Sequence, residues 1–284
     1  MSRVAIIGDV SGHAAVLVEA LESIGVDVAT SRLPSDLTVI QVGDLVHKGP
    51  AGNEAVALAD RMMRANPAGW LQLLGNHDLC YVGGPPAPRW SGRGDVSDAT
   101  IDVLRDWWQN KRCLLAVGLE SVGMGHVLVS HAGLTRGCWE DLGRPSNVAS
   151  AATAMNAEVG RPGSIAMRAG RLLGGPPDHH AGPCWAEVSQ EVYEPWIEAG
   201  DIPFNQVHGH AAPWNFQTAA FWRDTPRRVR DRCLPDPEQR RVLTQLGPDP
   251  TKGRWGLSID WQLGPEPPGA TWPVLVVEVE SVFG

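Results

Sequence analysis

Several things are scarce in this chain, and each scarcity removes a class of protein. No stretch approaches the roughly 20 consecutive apolar residues that a membrane-spanning helix needs, so none is expected. The 5 cysteines (Cys80, Cys113, Cys138, Cys184, Cys233) are scattered and never form a CxxC pair, which argues against a disulfide framework or a zinc–thiolate site and for free thiols. Basic residues do not dominate: the net charge of -8 disfavours a general affinity for nucleic acid. It leaves anionic substrates open, because bound metal ions can supply local positive charge. Tyrosine (2) and phenylalanine (4) are rare against 12 tryptophans. No internal repeat, low-complexity tract or clear linker is visible. The opening MSRVAIIGDV carries no charged leader or apolar h-region, and a cytoplasmic location is expected.

What is present is a repeated strand–loop–helix rhythm. Strands are expected at 3–8, 37–43 and 70–75, with helices at about 13–24, 52–65 and 98–110. Val16, Leu17, Ala20, Leu21 and Ile24 share one face of the first helix. This alternation implies an α/β fold with a mainly parallel sheet. Further on, 113–119 and 125–130 suit a hairpin, helices are expected near 148–158 and 164–173, and strands at 204–209, 255–261 and 273–280. Gly and Pro cluster at 83–94, 160–183 and 247–269, as in long functional or irregular loops. The reading is one domain over 1–284 with loop insertions at about 83–97, 144–183 and 212–253.

Five apolar runs end in residues able to hold a metal or move a proton: VAIIGDVSGH (Asp9), VIQVGDLVHKGP (Asp44), WLQLLGNHDLC (Asn76), VLVSHAGL (His131) and NQVHGHAAP (His210). A buried strand that delivers a polar side chain at its carboxyl end is a common way to build a site. Carboxylate, amide oxygen and imidazole suit Mn, Fe, Zn or Mg. Asp44 is the natural bridge between two ions, which can clamp a phosphoryl group and lower the pKa of a bound water to give hydroxide. Singly, each has a plainer reading: a strand-end Asp caps a helix, Asn76 suits a turn, and a buried histidine is more often structural.

The ordered set GDVSGH, GDLVHKGP, GNHD, SHAGL and HGHA resembles the calcineurin-like metallophosphoesterase superfamily, and most of all its phosphoprotein phosphatase branch with the bacterial diadenosine tetraphosphatases. The resemblance covers roughly 3–135 and 204–213, with an echo at Ser258-Ile259-Asp260. It implies a β-sandwich flanked by helices (α/β/β/α) with the site at the carboxyl ends of the strands. It also implies a first metal site at Asp9 and Asp44, a second at Asp44, Asn76, His131 and His210, His77 as general acid, and Lys48 as a phosphate-gripping residue. His208 is read as structural.

Three positions depart from the family pattern. The usual histidine ligand of the opening motif is Ser11; His13, two residues on, either reaches back to the metal or is an exposed first-turn histidine. The acid that normally orients the catalytic histidine is His47, so His77 needs Asp78 or another acid, or is a weaker acid–base group. Lys48 replaces an arginine with a point charge. The arginine-rich segment 223–241 is interrupted by acids and reads first as an ion-paired surface, alternatively as a grip for polyanions. Trp90, Trp185 and Trp214 sit in loops, as stacking walls or as anchors, and Trp107-Trp108 as core.

The expected activity is hydrolysis of a phosphate monoester or nucleoside polyphosphate, with two divalent ions (Mn or Fe/Zn, with Mg possible) as cofactors. The partner is a phosphorylated small molecule, nucleotide or phosphoprotein, with no nucleic acid and no membrane. The alternative is a catalytically weakened phosphate-binding or regulatory module.

Overall fold

The computed structural model describes residues 2–85, 95–248, 253–265 and 273–284; Trp90 and parts of the first and third loop regions lie outside them. Short, largely apolar runs form β1 (Ser2–Ile7), β2 (Leu37–Gln41) and β3 (Trp70–Gln72), each followed by a helix: α1 (Ala14–Ser23), α2 (Gly52–Ala65) and the single turn α3 (Asn76–Leu79). Next come α4 (Asp98–Gln109), the paired β4 (Ala116–Ser121) and β5 (Gly125–Ser130), α5 (Arg136–Asp141) and α6 (Val148–Asn156). The Ser97 and Asn147 side chains accept from Thr100 and Ser150 N–H at the starts of α4 and α6, satisfying donors that have no partner inside the helix.

The expected helix at 164–173 is not there. Two 3₁₀ turns, Ile165–Met167 and Arg171–Leu173, take its place, with Gly170 between them, where a continuous helix would cost extra backbone entropy. A π-helical segment, Val188–Tyr193, runs into α7 (Glu194–Ala199) and then β6 (Asn205–His208). A small ribbon of β7 (Trp214–Asn215) and β8 (Ala220–Phe221) precedes α8 (Arg227–Arg230). Strands β9 (Cys233–Asp236), β10 (Arg241–Gln245), β11 (Trp255–Ser258) and β12 (Leu275–Phe283) complete the fold.

One ten-stranded sheet has the order β3-β2-β1-β12-β4-β5-β6-β11-β10-β9. It is mixed, not mainly parallel. β1 and β2, β2 and β3, β5 and β6, and β6 and β11 run parallel. β12 enters antiparallel between β1 and β4, and the 116–130 hairpin and the β9-β10-β11 meander are antiparallel too. Side chains alternate between two cores. Val4 and Ile6 of β1 point to one face, where they meet Ile40, Val129, Val207, Leu257 and Val277. Ala5 and Ile7 point to the other, against Leu17, Leu21, Val56, Met62 and Trp107 of the helices.

The first of these cores draws on both β2 and β11, which lie far apart in the sheet order. The sheet is therefore doubled over on itself as a sandwich, with helices on its outer faces. Each fully buried Leu, Ile or Val contributes about 1.5–3 kcal/mol. Among the described residues no helix is long and apolar enough to cross a membrane.

Candidate metal centre

Doubling the sheet over brings the carboxyl ends of β1, β2, β3, β5, β6 and β11 to one place. Gly8, after β1, packs on the Ile259 carbonyl after β11, at a distance where a Cβ would lie 2.4 Å from it. Gly43 has φ +105, and a Cβ there would lie 2.2 Å from the Gly75 nitrogen; only glycine lets the β2 and β3 loops pass this closely. Asp44 (φ 55), His47 (φ 69), Lys48 (φ 61) and His210 (φ 63) are held in the left-handed region, at a cost of order 1–3 kcal/mol each.

Asp78 repays part of that strain. Its carboxylate accepts from the backbone N–H groups of Asp44 (2.8 Å), Leu45 (3.0 Å) and Gly75 (3.0 Å), binding the two loops together. Asp78 is therefore engaged with backbone and is not the partner of His77.

Asp9, Asp44, Asn76, His131 and His210 face one another. One donor atom each from Asp44, His131 and His210 lies within 4.8 Å of the other two. His131 donates through Nδ1 to the Val42 carbonyl (2.8 Å), which leaves the Nε2 lone pair aimed at Asp44 Oδ1 (3.5 Å) and Asn76 Oδ1 (3.3 Å). Asp9 Oδ2 accepts from His210 N–H (2.9 Å), and His210 Nδ1 lies 3.0 Å from Asn76 Oδ1. Asp9 Oδ1 and His210 Nε2 are buried without a hydrogen-bond partner among the described residues. Orphaned buried acceptors and donors of this kind call for an explanation, and a cation supplies one.

The electrostatics agree. Burial pushes the Asp44 carboxyl up to about 7, against the opposing pull of Lys48. Asp9 is raised well above its ordinary value by burial and then by Asp260 and Asp44. Burial lowers His131 to about 4 and also depresses His210. A divalent ion would draw the protons off these crowded carboxylates, and the imidazoles beside them are already neutral, as ligation requires. The residues fit the metal.

His13 does not join this group. It is buried, and its Nε2 lies 2.8 Å from the Gly264 carbonyl. Ser11 Oγ is buried without a partner among the described residues.

Lys48 and His77 line a cavity of about 190 Å³ with Asp44, Asn76, His210, Leu172, Leu173 and Trp185. His77 Nε2 stands 3.8 Å from Asp44 Oδ2. Its Nδ1 meets Nδ1 of His47 at 2.9 Å, and His47 Nε2 meets the Tyr81 hydroxyl at 2.6 Å. Burial, then Lys48 and His47, hold His77 well below the usual histidine range. Sequence reasoning missed Tyr81. The signal was its place four residues after His77 on a helical turn, which puts the two on one face. His208 is structural: Nε2 bonds the buried Tyr193 hydroxyl at 2.7 Å. Trp107, Trp108 and Trp185 are buried, and Trp214 is half-buried with its ring edge-on to Phe221.

Comparison with known proteins gives this arrangement its class. A model of the calcineurin-like phosphoesterase family matches residues 2–249. The chain belongs to that family, a family of metal-dependent phosphoesterases, and Asp44, His131 and His210 form its candidate metal-binding cluster.

No curated protein matches significantly. Among solved structures, a cold-active protein-tyrosine phosphatase of a psychrophilic Shewanella is similar at 16% identity. That match covers 98% of this chain and 76% of that one, with a TM-score of 0.55. A Saccharomyces cerevisiae serine/threonine phosphatase with similarity to human phosphatase PP5 matches at 18% identity over 47% of this chain and 38% of that one (TM-score 0.34). A candidate diadenosine tetraphosphatase matches at 19% identity over 92% and 84% (TM-score 0.41). The likeness to the Shewanella enzyme speaks to the fold.

Proposed function

We propose that this chain hydrolyses a phosphate ester at a dinuclear centre, with Asp9 and Asp44 holding one ion and Asp44, Asn76, His131 and His210 the other. The observation that carries the reading is the convergence of these donors with Asp9 Oδ1 and His210 Nε2 left unpartnered. Divalent ions there, Mn foremost, would supply charge that activates water and neutralises phosphoryl oxygens.

The chain's own groups do the rest. Lys48 holds the phosphate from within the small cavity, and Trp185 and Leu173 narrow it against bulk water. His77 holds a proton at Nε2 for the departing oxygen. Asp44, an acceptor-only carboxylate 3.8 Å away, favours the proton on that nitrogen. Nδ1 of His77 then accepts from Nδ1–H of His47, whose Nε2 accepts from the Tyr81 hydroxyl. A neutral relay thus stands where a carboxylate would otherwise orient the acid. Water's oxygen bonds to phosphorus and the bond to the organic oxygen breaks. That oxygen takes the Nε2 proton of His77 as Nδ1 of His77 takes the proton of His47 and His47 that of Tyr81. The proton the water gives up restores the relay, and an alcohol leaves beside inorganic phosphate.

We also read 1–284 as one unit with loop insertions, since a single sheet uses strands from both ends of the described chain. A reducing, cytoplasmic setting suits its free cysteines.

The test is metal analysis with a phosphate-release assay in Mn on an alkyl phosphate, glycerol 2-phosphate, whose leaving oxygen must be protonated. At least one ion per chain and a His77→Asn variant reduced about 10²–10⁴-fold are expected. Less than one ion, with turnover indifferent to His77→Asn, would sink the reading. That outcome would favour a module that binds phosphate without turning it over, for which Ser11 and the engagement of His13 with Gly264 speak.

A further inference from the structure

A second cavity, of about 480 Å³, opens beside the small one and shares His210 and Leu172 with it. Its other walls include Trp222, Arg171, Asp224 and Asp260. Five large apolar side chains are exposed among the described residues, and two of them, Leu172 (50%) and Trp222 (45%), line this cavity. Exposed apolar groups gathered at a concave site mark ligand binding more often than chance scatter does.

The tryptophan is set in place beforehand. Its indole N–H donates to the Ala212 carbonyl (3.0 Å), its backbone N–H to Pro213 (3.2 Å), and its carbonyl accepts from Thr225 (3.1 Å). With its polar edge spent, the ring offers only its faces, and little ordering remains to be done on binding.

The charges decide what kind of ligand fits. Arg171 is paired with Asp224 through Nη1, so its guanidinium is already engaged with a carboxylate. Asp260 and Glu187 add two carboxylates to the lining, one accepting from Gln262 N–H and the other from Ser189 and Gln190 N–H. A chain of further phosphates running into this cavity would meet, among the described residues that line it, three carboxylates and one cation, Arg171, that already has a carboxylate partner. A flat, uncharged ring would meet an indole and a leucine.

We propose that the larger cavity receives the organic group of an aromatic phosphate monoester, its ring against Trp222 and Leu172 and its phosphate in the small cavity beside Lys48. The inference rests on the phosphoesterase reading of the site and sharpens it, setting an aryl monoester above a nucleoside polyphosphate. A phosphotyrosyl side chain and a free aryl phosphate share this chemistry.

Two measurements on the Mn-loaded enzyme test it. Calorimetry compares phenylphosphonate with methylphosphonate, neither of which is hydrolysed. Steady-state kinetics compare phenyl phosphate, free phosphotyrosine, glycerol 2-phosphate and diadenosine tetraphosphate. Phenylphosphonate should bind about ten-fold more tightly than methylphosphonate, as one well-packed aromatic contact provides. The aryl esters should show KM about ten-fold below that of glycerol 2-phosphate. Trp222→Ala should narrow both gaps, and Leu172→Ala, on a separate turn, should narrow them independently.

Equal phosphonate affinities, a polyphosphate preference, or gaps unmoved in both variants overturn the proposal while leaving the phosphoesterase reading intact. Unequal phosphonate binding with no turnover of any ester upholds the cavity and overturns the activity. Phosphotyrosine well above phenyl phosphate in kcat/KM assigns the ring to a side chain, and parity assigns it to free aryl esters.

Discussion

Replacing Tyr81 with Phe removes one oxygen atom and tests the His77–His47–Tyr81 relay directly. Tyr81 is only partly buried, so the ring should keep its place and the fold should lose little. What disappears is the 2.6 Å contact with His47 Nε2. Without that donor, His47 is free to carry its proton on Nε2, and its Nδ1 becomes an acceptor. His77 is then drawn toward the Nδ1–H tautomer, whose Nε2 is bare where the departing oxygen needs a proton.

A single neutral hydrogen bond biases such an equilibrium by about 0.5–1.5 kcal/mol, which is roughly a 2- to 13-fold fall in kcat. The fall should appear with an alkyl phosphate, whose leaving oxygen must be protonated. It should be much smaller with p-nitrophenyl phosphate, whose leaving oxygen departs as an anion. Nitrogen-15 NMR of the histidine rings, with His77 assigned through His77→Asn, reads the tautomer without turnover. Wild type should show protonated Nε2 at His77, and the signal should shift toward Nδ1–H in Tyr81→Phe. Equal losses on both esters, or a wild-type His77 protonated on Nδ1, would refute the relay.

Other expectations follow from the same geometry. In EDTA the native state keeps protons on Asp44 and Asp78, both pushed up to about 7, that the unfolded chain gives up near 3.8. Stability should therefore fall as pH rises through that range. His77, His131, His208 and His210, all held below the ordinary histidine range, act oppositely until about one unit above 6.5, so melting at about pH 7.5 and 9 reads the carboxylates. The melting temperature should be lower at the higher pH and restored by Mn; a flat or inverted profile contradicts the electrostatics. Gly43→Ala must push apart backbone at 2.2 Å in a left-handed conformation, and urea titration should show a loss above about 2 kcal/mol. Asn156 accepts from Leu115 and Ala116 N–H and donates to the Ala116 carbonyl, so Asn156→Ala should cost about 2–4 kcal/mol by the same method; a change below 0.5 would show that water replaces these bonds.

The first three strands and their helices were legible because each strand belongs to a short, largely apolar run that a glycine ends abruptly. The same punctuation pointed to Asp9, Asp44, Asn76, His131 and His210, and the structure gathers them. Less legible was whatever depends on partners far along the chain. From the sequence His13 reads as reaching back to the metal or as an exposed first-turn residue, yet it is buried and its ring meets a carbonyl 251 residues away. Strands β9 and β10 hid in an arginine-rich stretch because at the sheet's end only Val242 and Thr244 of β10 are buried, too few for an apolar signature. The parallel sheet inferred from βα alternation became mixed when β12 slotted in antiparallel, a pairing that no local pattern announces.

That slot has a consequence for biosynthesis. The strand joining the two halves of the sheet, β12, is made long after the strands it stitches, β1 and β4. Until it arrives, both present open edges, and the halves cannot seal their shared interior. A ribosome pausing before residue 275 would hold two unjoined ribbons, each able to pair with a neighbouring nascent chain. Chaperone dependence and aggregation on slow translation should therefore track the synthesis of β12, whatever the quality of the strands made before it.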